Sequence, residues 1–186
     1  MTAYRTQTGI PSRLRRFRSD RGGVAAVEFA LILPVMLTIY LGGVEVGDGY
    51  AIDTRVTLVA RSVTDLATQY ITIDNQDMSN ILGASTEIVA PYASANITVT
   101  VSEVTTDSSG NGTVTWSNSL NGTARVVGSK ITLPASLQTP NISVILGEVT
   151  YAYTPALGYV VTGTITMSDS FYMMPRLANS VTRVNS

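Results

Sequence analysis

The stretch RSDRGGVAAVEFALILPVMLTIYLGG, residues 18–43, decides how this chain is read. A basic segment ends in a glycine pair, Gly22 and Gly23, and a long apolar run follows. One carboxylate, Glu28, stands five residues beyond Gly23. A bare carboxylate is among the least favourable groups to place in an apolar layer. Its fixed step from the glycines therefore calls for a reason.

Residues 24–44 are 21 positions with that single charge. At about 1.5 Å per residue, a helix of this length reaches roughly 30 Å, enough to cross a hydrocarbon core. The span is placed at residues 24–46, entered at Val24 and running past Val44. Pro34 lies inside it, which a membrane helix tolerates when neighbours satisfy the freed carbonyl. A secretory signal peptide would have a shorter apolar core without an acid, followed by a small-x-small cleavage site. Here the run is longer, it contains Glu28, and Gly49-Tyr50-Ala51 is a poor match to such a site.

The formal net charge of −1 conceals an asymmetry. Six of the twelve basic residues are arginines within residues 1–23, against one acid, Asp20; the rest of the chain carries six basic and twelve acidic residues. Excess arginine directly before an apolar run predicts that this end stays in the cytoplasm. The part after the span is then periplasmic or extracellular, on a single-pass inner-membrane protein. A basic arm can also bind nucleic acid, but its place beside the span argues against that partner. Charged residues make up only 13% of the chain, about half the soluble average of ~25%. A membrane segment joined to a polar, uncharged domain accounts for this.

The chain has no Cys and no His. Disulfide frameworks, zinc–thiolate sites and Ser-His-Asp or Cys-His catalysis are thereby excluded. No catalytic residue, metal site or cofactor is assigned, and an enzyme is not expected. An envelope hydrolase working through two carboxylates would need them to converge in one pocket.

Past the span, Gly42, Gly43, Gly47 and Gly49 form a glycine-spaced joint, for which a bend or local melting is expected. Val56, Val59, Ala60, Val63, Leu66, Ala67 and Tyr70 then follow helical spacing, with Arg55, Arg61, Thr64, Asp65 and Gln69 on other faces. One or two short helices are expected within residues 73–92, capped by Asp74 or Asn75 and stopped by Pro91. From Ala95 the period becomes two. Ile97, Val99 and Val101 alternate with polar residues, residues 105–112 form a turn cluster, and Val114 and Trp116 resume the alternation. Residues 117–130 read as loop with room for a short helix. Strands are expected at 130–134, at 142–155 with Gly147 as a bulge, and from about Gly163. The tail carries no strong signal.

The resulting plan is a basic cytoplasmic leader (1–23), a transmembrane helix (24–46), amphipathic and short helices (47–92) and a β-rich envelope domain (93–186). Helices followed by strands predict α+β, with the membrane helix continuing into an amphipathic helix packed on a C-terminal antiparallel sheet. That is the general plan of a pilin.

Glu45, Asp48 and Asp53 suggest either cation binding or, as the preferred reading, a solvated post-membrane helix. The Asn-X-Ser/Thr triplets at Asn96, Asn111, Asn121 and Asn141 suit turns and strands. Trp116, Tyr151, Tyr153, Phe171 and Tyr172 are expected to pack the sheet. The Asp107–Gly112 turn resembles a calcium loop but lacks the later glutamate.

Taken together, GGVAAVEFALILPVML resembles the N-terminus of the TadE-like pseudopilins of tight-adherence (Flp) pilus systems. Their G-xxxx-E-F motif is filled by Gly23, Glu28 and Phe29, and ILP with Pro34 is similar too. VTDLATQ and the later EVTYAYTP and MMPR resemble the family more loosely. The resemblance implies a processing site at Gly22, Gly23 and Val24, cut after Gly23 by a prepilin peptidase. It implies a minor pilin or pseudopilin whose partners are the inner membrane, that peptidase, other pilins and pseudopilins, and Tad assembly proteins. The related TadF and TadG proteins share the N-terminal pattern, and an uncleaved single-span anchor presenting an envelope module is the alternative. Cleavage would give Val24 an amino group. Glu28 of one subunit, with Phe29 beside it, would then be placed to neutralise the Val24 ammonium of another. A snorkelling glutamate without a partner is the plain alternative.

Overall fold

Residues 21–155 and 163–184 are described by the computed structural model, with side chains from residue 23 onward. Nearly all of the expected leader, the 156–162 connection and the last two residues lie outside the described residues. The first element, α1 (Arg21–Thr68), is one helix of 48 residues, about 72 Å long. The expected bend or melt at the glycine joint is therefore corrected, because α1 continues through all four glycines without a break.

The reason lies in which face those residues occupy. Gly42 and Glu45 are buried, Gly49 is half-buried, and Ile52, Val56, Val59, Ala60, Val63 and Ala67 follow, all buried. The spacing of three and four makes one stripe, and it faces the sheet. A Cβ at Gly49 would stand 3.6 Å from Met167 Cε and 3.7 Å from a Tyr153 ring carbon. Glycine's propensity cost, about 1 kcal/mol against alanine, is opposed by the packing of the stripe it belongs to.

After β1 (Thr72–Ile73), α2 (Asn75–Val89) starts from an Asp74 capping box. The Asp77 amide donates to Asp74 Oδ1 at 2.8 Å, and the Asp74 amide donates to the Asp77 carboxylate at 3.4 Å. The helix stops just before Pro91, whose peptide bond with Ala90 is cis. Its apolar residues Met78, Ile81, Leu82 and Val89 join the core.

The main sheet comprises β2 (Ile97–Thr106), β3 (Gly112–Leu120), β4 (Lys130–Ile131), β5 (Ser143–Tyr153) and β6 (Ile165–Met173). Its order is β4-β3-β2-β5-β6, antiparallel throughout. The α+β expectation is met. The helices cover one face, against Ile97, Val99, Val101, Ile145, Val149 and Tyr151. On the other face Val104, Val114, Val144 and Leu146 form a smaller cluster under Leu133. Beside it that face is hydroxyl-rich, with Thr100 paired to Ser119 at 2.9 Å and Ser102 to Ser117 at 2.8 Å. Strand β5 is buried on both faces along its first half, which is why its sequence reads as a continuous apolar run rather than an alternation.

Two sequence expectations fail at the same contact. Thr64 was expected on an outward face but is fully buried, its hydroxyl donating to the Ala60 carbonyl at 2.6 Å. Gly147 was expected to form a bulge, but the register runs evenly through it to Val101 and to Phe171. It is instead a point of close approach between helix and sheet. A Cβ there would sit 2.0 Å from Thr64 Oγ1 and 3.0 Å from the Ala60 carbonyl oxygen. The register shift lies elsewhere, where Glu103 and Val104 of β2 oppose Trp116 and Val114, leaving Thr115 extra on β3.

The aromatic residues pack as expected: Trp116, Tyr151 and Tyr153 are buried, Phe171 and Tyr172 half-buried. Loop 121–129 contains no helix. The tail holds more order than its sequence signalled, because β7 (Thr182–Arg183) pairs in parallel with β1. Val181 just before it is fully buried. Its carbonyl accepts from the Trp116 indole at 2.7 Å, and its amide donates to the buried carboxylate of Glu103 at 2.8 Å. Ser143 donates to the same carboxylate oxygen at 2.7 Å.

Gly147→Ala is expected to destabilise the fold by about 1–3 kcal/mol through overpacking. Thr64→Ala in the same chain should recover part of that loss. Denaturant melts of the two single variants and the double variant check this, and a Gly147→Ala protein as stable as the wild type would contradict the contact.

Candidate processing and assembly segment

The N-terminal half of α1 makes none of these contacts. Gly22 and Gly23 lie at the start of its described part. Each glycine is about 1 kcal/mol less favourable in a helix than alanine, so the pair weakens the helix beside the bond between Gly23 and Val24. No atom stands within 4 Å of a Cβ built on Gly23.

Every residue from 23 to 40 is exposed. Among the large apolar side chains of this stretch, exposure runs from 38% at Leu33 to 71% at Leu31 and Ile39, so no face of the helix is sealed by the protein's own domain. Covering the fourteen exposed large apolar residues from Val24 to Tyr50 would contribute on the order of 20 kcal/mol. A monomer in water does not leave such a surface bare. The helix is long and apolar enough to cross a membrane, with a mean hydropathy of 2.2 in its most apolar window. Pro34 does not interrupt it, and the Thr38 hydroxyl donates to the Pro34 carbonyl at 2.9 Å. Val44 is exposed, while Gly42 before it and Glu45 after it already face the domain.

Glu28 and Phe29 are exposed, and Glu28 makes no hydrogen bond or ion pair with the described residues. Val24 and Glu28 are four apart, so they share a face about 6 Å apart along the axis. Helix geometry thus brings Val24, at the candidate processing site, and the glutamate onto one side of one rod.

The other candidates separate. Asp48 and Asp53 are exposed, as a solvated helix predicts, but Glu45 is buried on the inward stripe. Nothing in the sequence set Glu45 apart from its neighbours; only its three-residue step from Gly42 hinted at it. The Tyr153 hydroxyl donates to the Glu45 carbonyl at 3.3 Å, and burial first, then Asp48 and Glu45, pushes that hydroxyl's pKa up. In the turn after β2, Asp107 is held below the usual carboxylate range, first by the Asn111 side-chain amide, then by the Asn111 and Ser109 backbone amides. Its oxygens close a turn, in place of a calcium loop.

These features define a class: an α+β domain carried on the far half of a long helix whose near half is bare and apolar. Residues 23–65 match the family model described as TadE-like protein. The match begins at the second glycine of the pair and ends one turn before α1 does, so it takes in Gly23, Glu28 and Phe29, the residues that carried the resemblance. Comparison with curated proteins and with solved structures gave no match.

Because Glu28 is exposed and bonded to none of the described residues, Glu28→Leu is expected to shift the domain's unfolding by less than about 0.5 kcal/mol. Thermal melts in detergent check this, and a larger loss would mean that Glu28 contributes to the fold.

Proposed function

We propose that this protein is a minor pilin or pseudopilin that works in assembling a tight-adherence pilus, a structural component rather than an enzyme. The observation that carries the reading is the TadE-like match over residues 23–65 falling on a helix whose first half has no packing partner among the described residues. The arginine excess before the span supports insertion with the N-terminus in the cytoplasm and the α+β domain beyond the inner membrane.

In this reading a prepilin peptidase cuts between Gly23 and Val24. The bond lies in a turn weakened by two glycines, each about 1 kcal/mol less favourable in a helix than alanine. Opening that turn presents an extended substrate without disturbing the domain. The cut leaves a new ammonium on Val24. Glu28 of a neighbouring subunit neutralises it when the bare helices pack together, with the Phe29 ring beside the pair. Breaking such a buried pair from one side costs roughly 3–5 kcal/mol, so a subunit docked in the wrong register is strongly disfavoured.

Intact mass of the protein from cells with and without the matching peptidase tests the cut. The expected result is residues 24–186 with the peptidase and the full chain without it. A full-length chain in both strains would favour an uncleaved single-span anchor. Glu28→Leu is expected to insert and be cut normally yet to enter the assembly poorly, as measured by its share in sheared pili or in crosslinked assembly complexes. Normal incorporation would remove the pairing role.

A further inference from the structure

The height of the domain above the span follows from lengths. The 21 helical residues from Val24 to Val44 cover about 31 Å, which matches the hydrocarbon core of a bilayer. The polar headgroups add about 5–7 Å on each side, or roughly five residues of helix, 45–49. Contact with the domain begins before that layer ends. Gly42 is already buried, ahead of the end of the apolar run. The Tyr153 hydroxyl donates to the Glu45 carbonyl at 3.3 Å, and a Cβ at Gly49 would stand 3.7 Å from the Tyr153 ring. Tyr153, at the end of β5, therefore lies level with residues 45–49.

The sheet stands along α1 with this end toward the membrane. Gly49 lies beside Met167, the Thr57 hydroxyl donates to Asp169 at 2.7 Å, and the Arg61 guanidinium stands 5.8 Å from the centre of the Phe171 ring. Helix and β6 thus advance together away from the span. Ile165, the first residue of β6, is the register partner of Tyr153 and shares its level. Thr154 and Thr164 lie one residue nearer the membrane, their hydroxyls paired at 3.0 Å. The exposed surface at this level joins Val46 and Ile165 to those hydroxyls. Its exposed charge among the described residues is the acid Asp48. The first basic side chain along α1 beyond Glu45 is Arg55, ten residues on and about 15 Å farther out. Anionic lipid attracts clustered Lys and Arg. Apolar groups beside hydroxyls, without a basic residue, instead suit zwitterionic headgroups.

We propose that this end of the domain rests in the headgroup layer of the bilayer, a proposal that builds on the membrane-spanning reading of α1. Its partner is zwitterionic phospholipid. Val46 and Ile165 lie at the boundary with the acyl chains, and the hydroxyls of Thr154 and Thr164 meet phosphate and ester oxygens. The domain is then seated on the membrane, with no stalk between them. Tyr50, six residues past Val44 and about 9 Å out, reaches the water side of the layer. The far end of α1 at Thr68 stands about 36 Å out.

The test uses the full-length protein in phosphatidylcholine vesicles. The chain has no cysteine, so a nitroxide label can be attached to single cysteines at 32, 36, 46, 127 and 165. Collision rates with oxygen, which concentrates in the bilayer, and with a water-soluble nickel chelate give the depth of each label. Positions 32 and 36 are expected deep in the hydrocarbon, and 127, on the exposed 121–129 loop, in water. Labels at 46 and 165 are expected between these limits, with nickel collision rates several-fold below that at 127. Adding anionic phosphatidylglycerol is expected to leave them there. A label at 165 that meets nickel as often as the label at 127, while 32 and 36 stay deep, would overturn the proposal. So would a label at 165 that reaches the headgroups only with anionic lipid. Free access of nickel to 32 and 36 would overturn the membrane reading itself, and the proposal with it.

Discussion

Everything in this molecule depends on one helix serving two environments. Over its second half α1 is sealed against a sheet, and over its first half every residue from 23 to 40 is exposed among the described residues. The sealed half has a tight point at Thr64 and Gly147, where helix and strand approach so closely that one methyl group would not fit. That contact fixes the direction in which α1 leaves the domain. The direction in turn sets where the bare half, and Glu28 with it, is delivered.

The bare half reads differently once the fold is known. Its apolar surface is too large for a protein free in water and is spread around the whole helix. A single groove-binding stripe would leave one polar face; this segment has none apart from Glu28. An all-round apolar helix suits lipid first and neighbouring helices second. One carboxylate in such a surface carries more positional information than any apolar residue there, because it alone requires a specific partner. Its i, i+4 relation to Val24 gives the partner a concrete candidate, the amine that processing would create.

The order of elements, the antiparallel sheet and the inward stripe from Val56 to Ala67 were legible because each rests on periodicity. So was the Asp74 cap, which rests on local chemistry. What escaped was set by contacts between distant segments. The glycine joint looked like a hinge because propensity counts each glycine alone, whereas Gly42 and Gly49 belong to the packed stripe. Gly147 looked like a bulge because nothing in its strand reveals a helix lying against it. Thr64 is polar by composition yet buried, since its hydroxyl is satisfied by the helix's own carbonyl. The tail read as featureless because its order comes from Glu103 and Trp116, more than sixty residues away. In the candidate segment the spacing of Gly23, Glu28 and Phe29 was fully visible, since it is local. The way Arg183 ties β7 to α2 and β3 was not, because its partners Asn75 and Asn118 are distant in the chain.

The central claim is that the two halves of α1 occupy different media. The chain has no cysteine of its own, so single cysteines report without background. Cysteines placed one at a time at residues 29, 32, 36, 39, 50 and 58 in intact cells can be treated with a membrane-impermeant maleimide. The account predicts no labelling at 29, 32, 36 and 39, and ready labelling from outside the inner membrane at 50 and 58. Labelling at the first four positions, or labelling at 58 only after the membrane is opened, would contradict it.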